Sequence, residues 1–293
     1  MRVVQTEFYS EGCKLDGALY LPDDYKPGER RPAIIPNSGY QGFNEFYPKL
    51  FSEYLTKAGF VCLGFDYRGF AKSEGVRGRV ILDEQVQDIR NAITYLRTRD
   101  EVDPERIGLI GWGMGASNVG RAAAADPRVR AVAALNGFYV GERWLKSVHT
   151  YVNWHRILQQ IEEDRVRRVT TGQSLLADPF LHYPLDETTE QHVNVELAHI
   201  PAFGKQTALQ FTESIVEMNA EAEAAKIAPR PLFIAHGKSN LLHPREEAEA
   251  LYAAAREPKT LYWIDGKHND FMYRDHPEMN RLMDRVIEFF NVL

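Results

Sequence analysis

Cysteine is scarce in this chain: Cys13 and Cys62 are the only two among 293 residues. Two cysteines so far apart supply neither a disulfide framework nor a thiolate metal site, and Cys62, inside the apolar run Phe60 to Phe65, reads as a small buried hydrophobe. No apolar run approaches the ~18 residues of a membrane span, and the start MRVVQTEFYSEG has no charged-then-apolar leader pattern. A cytoplasmic protein without membrane contact is expected. There is no basic excess either: the net charge is -6, with acids interspersed among the lysines and arginines, which excludes the electrostatic footprint of a nucleic-acid binder. The histidines lack paired ligand spacing such as H-E-x-x-H, so no metal is expected. The expected partners are a small-molecule substrate and, at most, a second copy of the chain.

The most telling absence lies in Arg106 to Ala125, RIGLIGWGMGASNVGRAAAA. The β-branched run at Ile107, Leu109 and Ile110 ends in a glycine-dense turn and continues as a small-residue helix: strand, sharp turn, helix. That is the shape of a nucleophile elbow, G-x-S-x-G, whose glycines let the central residue hold a strained conformation with its side chain exposed. Here the central residue is Gly113, which has no atom to attack with. A phosphate-cradling turn is the other reading of GWGMG, but the Lys-Ser/Thr ending, the full G-x-G-x-x-G spacing and an acidic ribose partner are all missing, so no cofactor is expected.

What is present is a regular alternation. Val3 to Tyr9 and Leu15 to Leu21 alternate apolar and polar residues around Glu11 and Gly12, as a hairpin does. Pro32 to Pro36, Phe60 to Phe65, Val129 to Leu135 and Leu232 to Ala235 are short continuous apolar runs, which read as strands buried on both faces. Phe46 to Ala58 and Leu82 to Arg97 carry apolar residues at helical spacing between them. The pattern predicts an α/β architecture with a mostly parallel central sheet flanked by helices.

The runs GFDYRGFAKSEG, LDEQVQDIRNAITYLRTRDEVDPERIGLIGWGMGAS, PLFIAHGKSNLLHP and DGKHNDFMYRDHPEMNRLMDRVIEFF, in that order, resemble the α/β-hydrolase superfamily, and within it the dienelactone-hydrolase-like and prolyl-oligopeptidase-like esterases. The resemblance implies the α/β-hydrolase fold with a hydrolase core at 1–137 and 229–293 and a helical lid insertion at 138–228. Set on the pattern H-G-x-x-D-x-x-V-P, the acid of the catalytic triad falls on Asn240, and the G-x-H ending places the histidine at His268. The triad therefore reads Gly113, Asn240, His268, with one member of three kept. The resemblance also places oxyanion-hole amides at Met114 and at Gly39 or Tyr40, which need no side chain and survive the loss of the nucleophile. Ser38, Trp112 and the lid aromatics Tyr139, Trp144 and Trp154 are candidates to line a substrate site, although aromatics at helical spacing equally serve to pack a lid. Ser38 and Ser117 are outside candidates for a nucleophile, and Glu142 and Asp265 for the acid.

With the attacking atom gone, the expected function is an enzyme acting on a small apolar carbonyl or ester compound without an acyl-enzyme: a lyase, isomerase, cyclase or direct-water hydrolase. His268, oriented by Asn240, is its expected general base. Asparagine is expected to leave that imidazole near its free pKa, so that activity fades on acidification through about pH 6 to 7. The alternatives are a non-catalytic ligand-binding relative and an inactivated ordinary esterase.

Overall fold

The architecture follows from which strands have one wet face and which have none. In the computed structural model, which describes residues 1–293, β1 (Arg2–Ser10) and β2 (Cys13–Leu21) pair antiparallel. Glu11 and Gly12 turn the hairpin with φ of 48° and 82°. Two successive left-handed residues match the right-handed twist of the flanking strands. β3 (Arg31–Asn37) then leads to α1 (Tyr47–Leu55), β4 (Val61–Phe65) and α2 (Leu82–Leu96). The helix expected over Phe46 to Ala58 is α only to Leu55 and ends as a 3-10 turn, Thr56–Ala58, closed by Gly59.

β5 (Val102–Trp112), α3 (Met114–Ala125) and β6 (Val129–Leu135) follow. Next come α4 (Gly141–Val148), α5 (Tyr151–Thr171), β7 (Leu176–Ala177), α6 (Glu187–His192), β8 (Thr207–Ala208) and α7 (Gln210–Glu217). The chain closes with β9 (Leu232–Gly237), α8 (Arg245–Ala254), β10 (Lys259–Ile264) and α9 (Pro277–Phe290). The main sheet has eight strands in the order β1-β2-β4-β3-β5-β6-β9-β10, parallel from β4 onward. β7 and β8 form a small ribbon of their own.

Neighbouring residues on each parallel strand enter opposite halves of the core. Ile34, Cys62 and Ile110 pack with Phe51, Leu55, Met283 and Phe290 from α1 and α9. Their neighbours Ile35, Leu63 and Leu109 pack with Ile89, Ile93 and Val119 from α2 and α3. Each such side chain contributes ~2 kcal/mol by leaving water. One buried ion pair ties the antiparallel edge to α2: Arg68 donates to Asp88 at 2.6 Å and also reaches the hydroxyl of Ser10. Burial drives the Cys62 thiol upward, so it remains an uncharged packing group.

Between β6 and β9, α4 and α5 pack on α7, and α7 touches α2. On α5, Trp154, Ile157 and Ile161 are buried while Leu158 is exposed, so the inward stripe is narrower than its apolar spacing suggests. No helix is long and apolar enough to cross a membrane.

Candidate active site

The carboxyl ends of parallel strands are where loops from neighbouring βα units converge. Gly113 lies between β5 and α3, the Ser38 to Gly42 loop follows β3, Asn240 lies after β9 and His268 after β10. Gly113 has φ 59° and ψ -124°, the left-handed side of the map that an elbow residue must occupy, and here glycine fills it without a steric penalty. The flanking glycines are demanded by backbone proximity. A Cβ at Gly111 would run into the carbonyl of Gly115, and one at Gly115 into the carbonyl of Ser38. At Gly113 itself there is room: a Cβ would lie 3.6 Å from Nε2 of His268 and 3.8 Å from Cε1 of His243.

Asn240 and His268 meet, as the pattern implied, but with the opposite polarity. Oδ1 of Asn240 accepts the backbone N–H groups of Leu242 at 3.1 Å and His243 at 3.0 Å. Those donors fix the amide, because its NH₂ could not face them. The NH₂ therefore points to the imidazole, with Nδ2 3.1 Å from Nδ1 of His268. Nδ1 must accept, so the neutral ring carries its proton on Nε2, facing the space above Gly113. This corrects the expected general base: Nε2 of His268 is a donor.

The expectation of a near-normal pKa is corrected as well. Full burial, followed by repulsion from His243, His236 and His192, holds His268 well below its ordinary 6.5. An imidazolium would also direct its Nδ1 proton at the NH₂ of Asn240.

Three backbone donors belong to residues that line the same cavity as this imidazole. The N–H groups of Gly39 and Tyr40 in their loop, and of Met114 at the first position of α3, donate to no acceptor in the protein. Gly39, Tyr40, Trp112, Gly113, Met114 and His268 share one narrow cavity of about 60 Å³. Trp112 donates from Nε1 to Asn269 at 3.2 Å, and Tyr47 donates to the same oxygen at 3.1 Å, which fixes the indole against the His268 ring.

The other candidates lie elsewhere. Ser38 is buried with no partner for its hydroxyl and does not reach the cavity wall. Ser117 donates to the carbonyl of Phe138. Tyr139 is enclosed in the core, with its backbone N–H on the carboxylate of Glu247. Trp144 stacks on Phe138 at 4.3 Å and donates to the carbonyl of Leu242 at 2.9 Å. Trp154 packs beneath Lys146. These aromatics pack the interior, as the helical spacing from Trp154 to Ile161 allowed for Trp154. Glu142 pairs with Lys146, and Asp265 lies on the surface beside Lys238. The cavity is instead lined by Phe180, Tyr183, Leu185, Val193 and Leu197, from a stretch that carries no motif. His243 was visible in the run NLLHP but had no role to suggest it.

Residues 28–272 match the Hydrolase_4 family, described as serine aminopeptidase, S33. The chain belongs to that family. It is thus a member of an α/β-hydrolase-fold enzyme family. It is 28% identical to the uncharacterized protein PA2218 of Pseudomonas aeruginosa, over 96% of this chain and 77% of that one. The crystal structure of PA2218 superposes with a TM-score of 0.85 at 25% identity, covering 99% of this chain and 93% of that one. Acyltransferase drtE of Aspergillus calidoustus is 26% identical over 91% of this chain and 88% of its own. The α/β hydrolase GrgF of a Penicillium species has the same fold, with a TM-score of 0.83 at 21% identity, covering 100% of this chain and 99% of that one.

Proposed function

We propose that this protein is a carbonyl-activating enzyme of the lyase or isomerase type, which stabilises an enolate or other oxyanion without forming an acyl-enzyme. The carrying observation is the polarity of the site: Nε2–H of His268 and the free amides of Met114 and Gly39 or Tyr40 stand around a Gly113 that keeps the elbow geometry without a nucleophile. Donors alone bind and stabilise developing negative charge, and removing one such donor from an oxyanion hole costs a factor of about 10² to 10³ in rate. A small apolar ketone, ester or thioester fits the cavity, its oxygen among the donors and its carbon skeleton against Trp112 and Leu242.

p-Nitrophenolate, a stable mimic of an enolate oxygen, tests this reading through its visible absorbance. The wild type should bind it, and His268→Ala should weaken binding about 10-fold for the lost charge-assisted hydrogen bond. A fluorophosphonate probe should leave the intact mass unchanged. Equal binding by His268→Ala, or a stoichiometric covalent adduct, would overturn the reading.

A further inference from the structure

A donor cradle needs a partner that moves the proton, and a second pair of titratable groups stands next to it. His243 occupies the position where H-G-x-x-D-x-x-V-P carries an apolar residue. Its ring packs between Phe138 and Trp144, with centroids 4.9 and 5.5 Å away. Nδ1 lies 2.6 Å from the carbonyl oxygen of Asn136, which can only accept, so Nδ1 carries the proton. Nε2 then offers its lone pair and accepts from the hydroxyl of Tyr183 at 2.8 Å. Tyr183 forms part of the cavity wall and is clamped between Tyr40 and Trp144, with ring centroids at 5.9 and 4.4 Å. The His243 and His268 rings meet edge to face at 4.7 Å. Packing alone does not call for this arrangement, since an apolar pair would fill the volume without burying two polar groups.

We propose that Tyr183 is the catalytic acid-base residue of the cavity and that His243 is the positioning residue that takes its proton; the proposal rests on the carbonyl-activating reading above. A proton leaves the carbon next to the substrate carbonyl for Oη of Tyr183 while the phenolic proton passes to Nε2 of His243. The C–H electron pair becomes the C=C bond of the enolate, and the carbonyl electrons move onto oxygen, facing Nε2–H of His268. Reversing the relay returns the proton to a different carbon, which is isomerisation, or to a departing β-substituent, which is elimination. The imidazolium formed on the way is one ring from the oxyanion, whose charge offsets its burial.

The experiment follows exchange of the α-protons of 2-butanone with D₂O by NMR, alongside p-nitrophenolate binding, in the wild type, Tyr183→Phe and His243→Gln. Exchange should fall about 100-fold or more in Tyr183→Phe while p-nitrophenolate binding is retained. His243→Gln presents an oxygen that accepts the same hydrogen bond but takes no proton, so exchange should stay lost although Tyr183 is still held. Undiminished exchange in Tyr183→Phe or in His243→Gln, or a wild type that binds p-nitrophenolate without exchanging protons, would each overturn the relay. Failure of the wild type to bind p-nitrophenolate would instead overturn the carbonyl-activating reading beneath it.

Discussion

Replacing Asn240 by aspartate should invert the imidazole it faces. The carboxylate can keep the backbone N–H groups of Leu242 and His243 on one oxygen and set the other 3.1 Å from Nδ1, where an NH₂ now stands. An acceptor there pulls the ring proton onto Nδ1 and frees the Nε2 lone pair. It also favours the cation: opposite charges ~3 Å apart attract by ~5 kcal/mol at an effective dielectric constant of ~20. Desolvation of the new carboxylate takes back part of that, and a net rise of the His268 pKa from its present depressed value is expected. Two-bond proton–nitrogen correlation spectra distinguish the two tautomers, and a pH series of the ring C–H resonance reports the shift. p-Nitrophenolate binding should weaken as the Nε2 donor is lost. A wild-type spectrum with the proton already on Nδ1, or a variant whose ring and binding do not change, would refute the assigned polarity.

Gly113→Ser should fit beside His268 at a cost of about 1 to 3 kcal/mol in stability for the strained φ, read from the melting temperature. It should hydrolyse p-nitrophenyl acetate with an acyl burst only when combined with Asn240→Asp; an equal burst from the single variant would show that Nε2 was already a base. Acid should unfold the protein early. Burial lowers His182, His192 and His236 to about 4 and His243 to about 3, from an ordinary 6.5. The unfolded chain binds protons that the folded one refuses, so stability present above pH 6.5 is lost as pH falls toward 4, and by pH 5 these four groups together remove ~8 kcal/mol. Asp66, raised to about 6 by burial, offsets a part of this. Circular dichroism should therefore show cooperative loss of structure near about pH 5, and a fold intact at about pH 4 would contradict it. Asp88→Asn, which leaves the guanidinium of Arg68 without its counter-charge, should lower stability by about 3 kcal/mol in urea titrations.

The parallel strands and the elbow were legible because their signals are local: apolar runs bounded by turns, and glycines where two backbones touch. Asn240 and His268 were legible as partners because a spaced pattern fixes which loops they sit on. The direction of the hydrogen bond between them was not, since it depends on two amides of the following turn that capture Oδ1. Tyr183 is one of several aromatics between β6 and β9, and nothing in the sequence singles it out, for a similar reason. Its stretch repeats no period, and only the packing of Trp144 and Tyr40 on either side brings its hydroxyl to His243. Trp144 and Trp154 were ambiguous from the outset, because an indole suits a core as well as a ligand.

Gly111 and Gly115 are held in place by the carbonyls of Gly115 and Ser38, whatever residue stands between them. The five-residue signature is therefore a mark of how tightly a strand and a helix cross, and it outlives the chemistry for which it is usually read. In any sequence of this kind, the pair of outer glycines reports the crossing, and only the middle letter reports the reagent.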